Sequence, residues 1–323
     1  VRAQSQQTAL PADVEATIRA AASQKNHEIL DNAAAAFEKL RNYDTAQKLL
    51  DSSLQIRGAV AGEQSAEYAA GLVKLGDLEA KRSRRDDALA FYQKAVGLGD
   101  RPEVAPALVY LGIHAIEGKD YPGAMDLFQR AVAVSDSPAT TGRAYMWIAM
   151  AEQADNDHAA EAEADFRKSI GSLNTNSSEM ATSLNLFAWF LTKHDRDSEA
   201  EPLRKQATAI VQKLETTDRD SGELASKFAL RVGGDVSRPE LIKKLEPQYT
   251  EEARAAKYQG VVVLYVVIEP DGTPDNFQVL KSLGLGLDQK AIEAVQQWQF
   301  KPGVKNGVAV PVKATIEVNF KLL

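Results

Sequence analysis

Small and apolar residues recur at helical spacing through the first two thirds of the chain and at strand spacing through the last quarter. The first pattern repeats at a period near 40, in five segments that align: LRNYDTAQKLLDSSL, KRSRRDDALAFYQKAV, EGKDYPGAMDLFQRAV, NDHAAEAEADFRKSI and KHDRDSEAEPLRKQA. In each an alanine (Ala46, Ala88, Ala124, Ala162, Ala200) is followed four residues on by Leu50, Tyr92, Phe128, Phe166 or Arg204. Three residues later comes Ser53, Ala95, Ala131, Ser169 or Ala207. That spacing puts all three on one helical face. Twelve residues before four of the alanines stands another small residue, Ala34, Gly76, Gly112 or Ala188, beside an apolar stretch such as LVKLG or LVYLG. Each unit is therefore expected to hold two helices that cross closely at small residues, joined by charged or polar turns such as RSRRDD, EGKDY and KHDRD.

Between Gln212 and Ser237 the repeat markers stop and a Gly233-Gly234 pair appears, which places a boundary there. SKFALRV in this stretch reads as a capping helix or a docking segment. Beyond it the period falls to 2. PQYTEEARAAKYQG predicts a short helix with Thr250 as N-cap, Glu251 and Glu252 in its first turn and Gly260 as its stop. GVVVLYVVIEPDGTPDNFQVLKS predicts a hairpin about Pro270-Asp271-Gly272. VVVLYVVI is apolar on both faces and belongs at the centre of a sheet. VPVKATIEVNFKLL alternates, with Val312, Ala314, Ile316, Val318 and Phe320 on a core face and Lys313, Thr315, Glu317, Asn319 and Lys321 on a wet one.

GLGLDQKAIEAVQQWQFKPG, between these strands, looks at first like a phosphate loop. A dinucleotide fingerprint would need glycine at Gln289, and no Gly-Lys-Ser/Thr is present. Gly284 and Gly286 instead shape a turn, Asp288 is expected to cap a helix whose Ala291, Ile292, Val295 and Trp298 pack on the sheet, and Pro302-Gly303 is expected to end it.

Composition narrows the chemistry. The formal charge is −7, yet residues 237–323 hold 11 Lys and Arg against 10 Asp and Glu, so about −8 falls on the first 236 residues. No basic face for nucleic acid results. Without cysteine there is no disulfide, thiolate metal site or cysteine nucleophile. His27, His114, His158 and His194 lack metal-ligand spacing, and no nucleophile elbow or other catalytic constellation is found. No enzyme activity and no cofactor are expected. The start at Val1 followed by RAQSQQ reads as a processed or truncated N-terminus.

The small-aromatic-small order in the second helix of each unit resembles the tetratricopeptide repeat. The spacings of 42, 36, 38 and 38 residues between the marker alanines exceed the family's usual ~34. Residues 237–323, with PQY, ARA, Gly260, PDG, DN, LD and WQFKPG in that order, resemble the C-terminal domain of the TonB energy-transducer family, departing from it at Thr250, where the family has a proline. The expected architecture is multidomain: an all-α helical-repeat solenoid at residues 1–212, a linker or capping segment at 213–236, and a small α+β domain of a three-stranded antiparallel sheet and two helices at 237–323. The resemblance implies a periplasmic, exported protein, with or without an inner-membrane anchor in its precursor, and outer-membrane receptors as candidate partners.

What such a partner would meet is the backbone of Val312, Lys313, Ala314, Thr315, Ile316, Glu317, Val318, Asn319 and Phe320, by strand addition, together with the PQY segment Pro247, Gln248 and Tyr249. Four to six strand hydrogen bonds at roughly 0.5–1.5 kcal/mol each oppose an association cost of roughly 4–15 kcal/mol, which makes the contact weak and transient. The alternatives are that the strand is a protected edge or pairs within a homodimer. Two functions remain open: a non-enzymatic interaction scaffold or adaptor whose repeats capture a peptide or protein, and a TonB-type energy transducer.

Overall fold

The computed structural model describes residues 12–39, 42–153, 158–217, 229–305 and 307–322. The described residues fall into two compact units that divide near residue 140.

The first unit holds α1 (Ala12–Gln24), α2 (Glu28–Lys39), α3 (Tyr43–Ala61), α4 (Ala66–Lys81), α5 (Arg85–Val96), α6 (Ala105–Glu117) and most of α7 (Tyr121–Val134). Helices α2/α3, α4/α5 and α6/α7 are the first three repeat pairs. Their marker residues Ala46, Ala88, Ala124, Tyr92 and Phe128 are buried. Gly76 and Gly112 show why the partner helix needs a small residue. A Cβ on Gly76 would lie 2.6 Å from the Tyr92 ring, and one on Gly112 would lie 2.5 Å from the Phe128 ring. The turns also repeat. Ser83, Lys119 and Asp195 each take positive φ (59°, 63° and 58°) five residues before a marker alanine. Elsewhere Ser65 caps α4, its hydroxyl accepting from Tyr68 N–H at 3.1 Å.

The second unit holds α8 (Pro138–Glu152), α9 (Ala159–Ser172), α10 (Ser178–Lys193), α11 (Asp197–Thr217) and the C-terminal domain. Ala162, Phe166 and Ala200 are buried as their repeats require, and Phe166 stacks on Phe187 at 5.4 Å. Arg204, in the aromatic's place, stays partly exposed and donates to Thr192 Oγ1 at 2.5 Å.

The C-terminal domain runs β1 (Leu230–Arg231), β2 (Glu240–Lys243), α12 (Glu251–Ala255), β3 (Gly260–Ile268), β4 (Pro274–Lys281), α13 (Leu287–Val295), β5 (Gln299–Lys301), β6 (Val304–Lys305), β7 (Val308–Ala309) and β8 (Val312–Phe320). The main sheet has the order β1-β8-β3-β4. Its three long strands are antiparallel, as the alternation predicts, and β3 is central, as its two-sided apolar character requires. The short β1 extends this sheet in the parallel sense and makes it mixed. It comes from the end of SKFALRV. Residues 226–228 of that segment lie outside the described residues, as does RAQSQQ.

Three local expectations are corrected. Helix α12 begins at its Thr250 cap, whose hydroxyl accepts from Ala253 N–H at 3.1 Å, but it ends at Ala255, because Lys257 itself turns into the left-handed region (φ 48°). Gly260 is instead the first residue of β3, where a Cβ would meet Leu283 Cδ2 at 2.7 Å. Helix α13 ends at Val295 and not at Pro302-Gly303, since the next residues are drawn into β5, paired with β2. Asp288 lies inside α13 and does not cap it. Its carboxylate accepts from Leu283 N–H at 2.8 Å and from the Ser282 hydroxyl at 2.6 Å, tying down the preceding loop. Gly284 and Gly286 do shape that loop, at φ 81° and 72°.

Candidate functional site: the β8 edge

The residues of β8 and β3 face each other in unbroken register from Gly260↔Phe320 to Ile268↔Val312. Val312, Ile316, Val318 and Phe320 are buried on the core face, while Thr315, Glu317 and Asn319 are exposed, in line with the alternation. On the far side of β8, Leu230 N–H of β1 donates to the Pro311 carbonyl at 2.8 Å. That bond identifies which main-chain groups point outward. By alternation, those of Lys313, Thr315, Glu317 and Asn319 aim at the same outer side. The pairing of β1 stops at Leu230↔Val312 and Arg231↔Lys313. Among the described residues, nothing pairs with the outer side of β8 from Ala314 to Phe320.

The opposite edge is different. Helix α11 packs at the outer side of β4, where Gln212 Nε2 donates to the Val279 carbonyl at 3.1 Å. A side chain from the repeat region thus takes up a main-chain acceptor that an approaching strand would need.

The structure brings one PQY residue to β8. The Tyr249 ring meets Phe320 edge-on at 5.5 Å and 87°. Its hydroxyl is buried without a hydrogen-bond partner, and burial pushes its pKa up. Pro247 is half-buried and Gln248 exposed. Of the nine β8 residues, Val312 and Lys313 already have β1 beside them, and the remaining seven form the open stretch.

Behind the edge, Trp298 is buried and its indole N–H donates to the Leu245 carbonyl at 2.8 Å, so the WQF motif anchors the chain that leads into PQY. The loop ahead of α13 is held from the helical side. Asn185 Nδ2 of α10 donates to Ser282 Oγ at 3.3 Å, which in turn donates to Asp288. Burial raises the Asp288 pKa against the pull of the Ser282 hydroxyl and the Leu283 and Gly284 amides. Leu285 N–H reaches Thr182 Oγ1 at 3.4 Å, Arg143 pairs with Glu252, and Trp189 meets Tyr258 edge-on at 5.5 Å. A cavity of about 640 Å³ remains between α11 and the end of β4, lined by Arg204, Lys205, Tyr258 and Lys281 among others.

Sequence reasoning did not identify Asn185, Ser282 or Gln212. Asn185 left a trace, being the polar residue within the apolar run LNLFAWFL. Gln212 left none, since a glutamine near a helix end is ordinary.

Residues 245–322 match the family model of the Gram-negative bacterial TonB protein C-terminal, and residues 26–99 match that of the tetratricopeptide repeat. Protein TonB of Vibrio cholerae serotype O1 is 35% identical over 89 residues, 27% of this chain and 36% of that protein. Protein TonB of Escherichia coli strain K12 is 29% identical over 84 residues, 26% of this chain and 35% of that protein. The chain therefore spans about a third of the length of these relatives. Among solved structures, BtubC (BKLC) from P. vanneervenii superposes with a TM-score of 0.50 at 14% identity, over 65% of this chain and 92% of that one, a likeness of fold. The chain thus combines tetratricopeptide repeats, which point to protein partners, with a TonB-like C-terminal domain.

Proposed function

We propose that this chain is a non-enzymatic interaction scaffold or adaptor of the periplasm. In this reading residues 237–323 accept an extended segment of a partner as an added strand on β8, while the repeats of residues 1–212 hold a second peptide or protein. The observation that carries it is the asymmetry of the sheet: β4 has Gln212 of α11 on its outer main chain, whereas β8 presents Thr315, Glu317 and Asn319 outward with no strand beside them among the described residues. Outer-membrane receptors are the partner class that the TonB relatives suggest. A second reading, TonB-type energy transduction with an inner-membrane anchor, draws on the 35% identity to Protein TonB of Vibrio cholerae. Among the described residues no helix is long and apolar enough to cross a membrane.

The test is Thr315→Pro, which removes one outward N–H at an exposed position and leaves the buried face of β8 intact. Titrated with synthetic peptides copying extended segments of outer-membrane receptors, the parent should bind and a folded Thr315→Pro variant should bind about two- to tenfold more weakly, the loss expected for one ladder hydrogen bond. Equal binding by the two proteins would rule out strand addition at this edge.

A further inference from the structure

The strand β1 occupies the beginning of the edge on which the proposed function rests. It contributes Leu230 and Arg231, in the parallel sense, to a sheet whose other pairings are antiparallel. Parallel pairing is the weaker kind per residue, and a ladder this short has almost no neighbouring pairs to reinforce it. Its burial is equally slight, since Leu230 is half-buried and Arg231 exposed.

The chain just past β1 is built to turn. Gly233 and Gly234 take φ of 134° and 61°, and a Cβ on either would meet nothing within 4 Å. From Gly233 onward the chain is fastened again. Gly233 and Val236 exchange main-chain hydrogen bonds at 3.1 Å, Val236 bridges to Lys305, and Ser237 N–H donates to the Val304 carbonyl at 2.9 Å, with the Ser237 hydroxyl accepting from Val304 N–H at 2.9 Å. A weakly held strand thus leads into a glycine pair, and the glycine pair into a fixed anchor.

We propose that β1 is a displaceable strap. While it is in place, Val312 and Lys313 are taken and an incoming strand is confined to residues 314–320. When β1 swings out about Gly233-Gly234, the outward groups of Pro311 and Lys313 join the open ladder and the incoming strand lengthens toward the start of β8. The chain therefore carries its own competitor for the near end of its partner edge, and the length of strand that it accepts depends on where β1 lies. This rests on the β8 edge being the docking surface, and the experiment separates the two.

Because the chain has no cysteine, the double variant Arg231→Cys/Lys313→Cys, at register partners on the surface side, can lock β1 by a disulfide and release it by reduction. Amide exchange measured by NMR on the reduced full chain should show the Leu230 amide exchanging through local opening, about 100-fold or more faster than the Val262 amide of β3, and slowing at least about tenfold on oxidation. A synthetic peptide with the sequence of residues 229–236, ALRVGGDV, serves as the added strand. It should shift the Val312 and Ala314 resonances in the reduced protein with at least about tenfold higher apparent affinity than in the oxidised one. A Leu230 amide as protected as that of Val262 overturns the strap whatever the peptide does. Equal peptide affinity in both forms overturns the competition and leaves the edge standing. Absence of any peptide-induced shift along residues 312–320 in either form overturns the edge itself, and the strap's role with it.

Discussion

Replacing Gly112 by alanine should destabilise the repeats, although the same change in an unobstructed helix stabilises. The Cβ of Gly112→Ala would sit 2.5 Å from Phe128 Cε1 and 2.8 Å from both Cδ1 and Cζ. Three atoms of a rigid ring cannot all retreat, and Phe128 is itself fully buried. Overpacking of this kind costs about 1–3 kcal/mol, and contact with three ring atoms argues for the upper end. Against it stands the helical preference for alanine over glycine, about 1 kcal/mol. The net expectation is a loss of about 1–2 kcal/mol. Gly171 in α9 supplies the control, because a Cβ there meets nothing within 4 Å, so Gly171→Ala should gain up to about 0.5–1 kcal/mol. Urea unfolding followed by far-UV circular dichroism reads both. The double variant Gly112→Ala/Phe128→Leu should recover part of the loss, with a coupling of about 1 kcal/mol or more. A Gly112→Ala protein as stable as the parent would refute the close helix crossing on which the repeat assignment depends.

Three other substitutions probe separate parts of the molecule. Trp298→Ala should cost about 3–5 kcal/mol, as truncation of a buried aromatic does, and should release the Leu245 carbonyl; unchanged unfolding in urea would contradict the packing of the WQF motif. Lys119→Gly should stabilise by about 0.5–1 kcal/mol, because Lys119 holds φ at 63° where a side chain is disfavoured; a loss in thermal or urea stability would contradict this. Burial, with Asp165 and Glu161 nearby, pushes the Glu152 carboxyl up to about 7 from 4.5, so the folded state binds its proton more tightly than the unfolded chain and stability falls as pH rises from about 4.5 through about 7. Glu152→Gln should therefore flatten that part of the stability profile and be the more stable protein at pH 8, and parallel profiles would refute the assignment.

How much of this could be read from the residues depended on whether a feature repeats. Ala88, Tyr92 and Ala95 recur as Ala124, Phe128 and Ala131, and the repetition exposed both the helix pairs and their close crossing at Gly76 and Gly112, while the rings that face these glycines came only with the structure. The alternation from Val312 to Phe320 gave the buried and wet faces of β8, and the unbroken apolar run VVVLYVVI its neighbour at the centre. Single contacts between distant segments left no such trace. Leu230 and Arg231 are too few to alternate, so β1 was invisible. Gln212 covers β4 only because α11 is placed beside that strand by the packing of the second unit. Asp288 looked like a cap by position in sequence, and only the path of the 282–286 loop shows that its carboxylate reaches backward. Lys257 ends α12 earlier than Gly260 would, because a non-glycine residue takes the left-handed turn and composition alone does not announce it.

The central claim is that a partner segment joins β8 as a strand, and disulfide trapping tests it most directly in a chain without native cysteine. Cysteine placed at exposed Glu317 would be offered a binding peptide carrying a single cysteine at each position in turn. Strand addition predicts efficient trapping at one position and weaker trapping two residues to either side, with the positions between them silent, because side chains alternate across a sheet. Trapping that is uniform along the peptide, or that repeats every three to four residues as for a helix, would contradict the account.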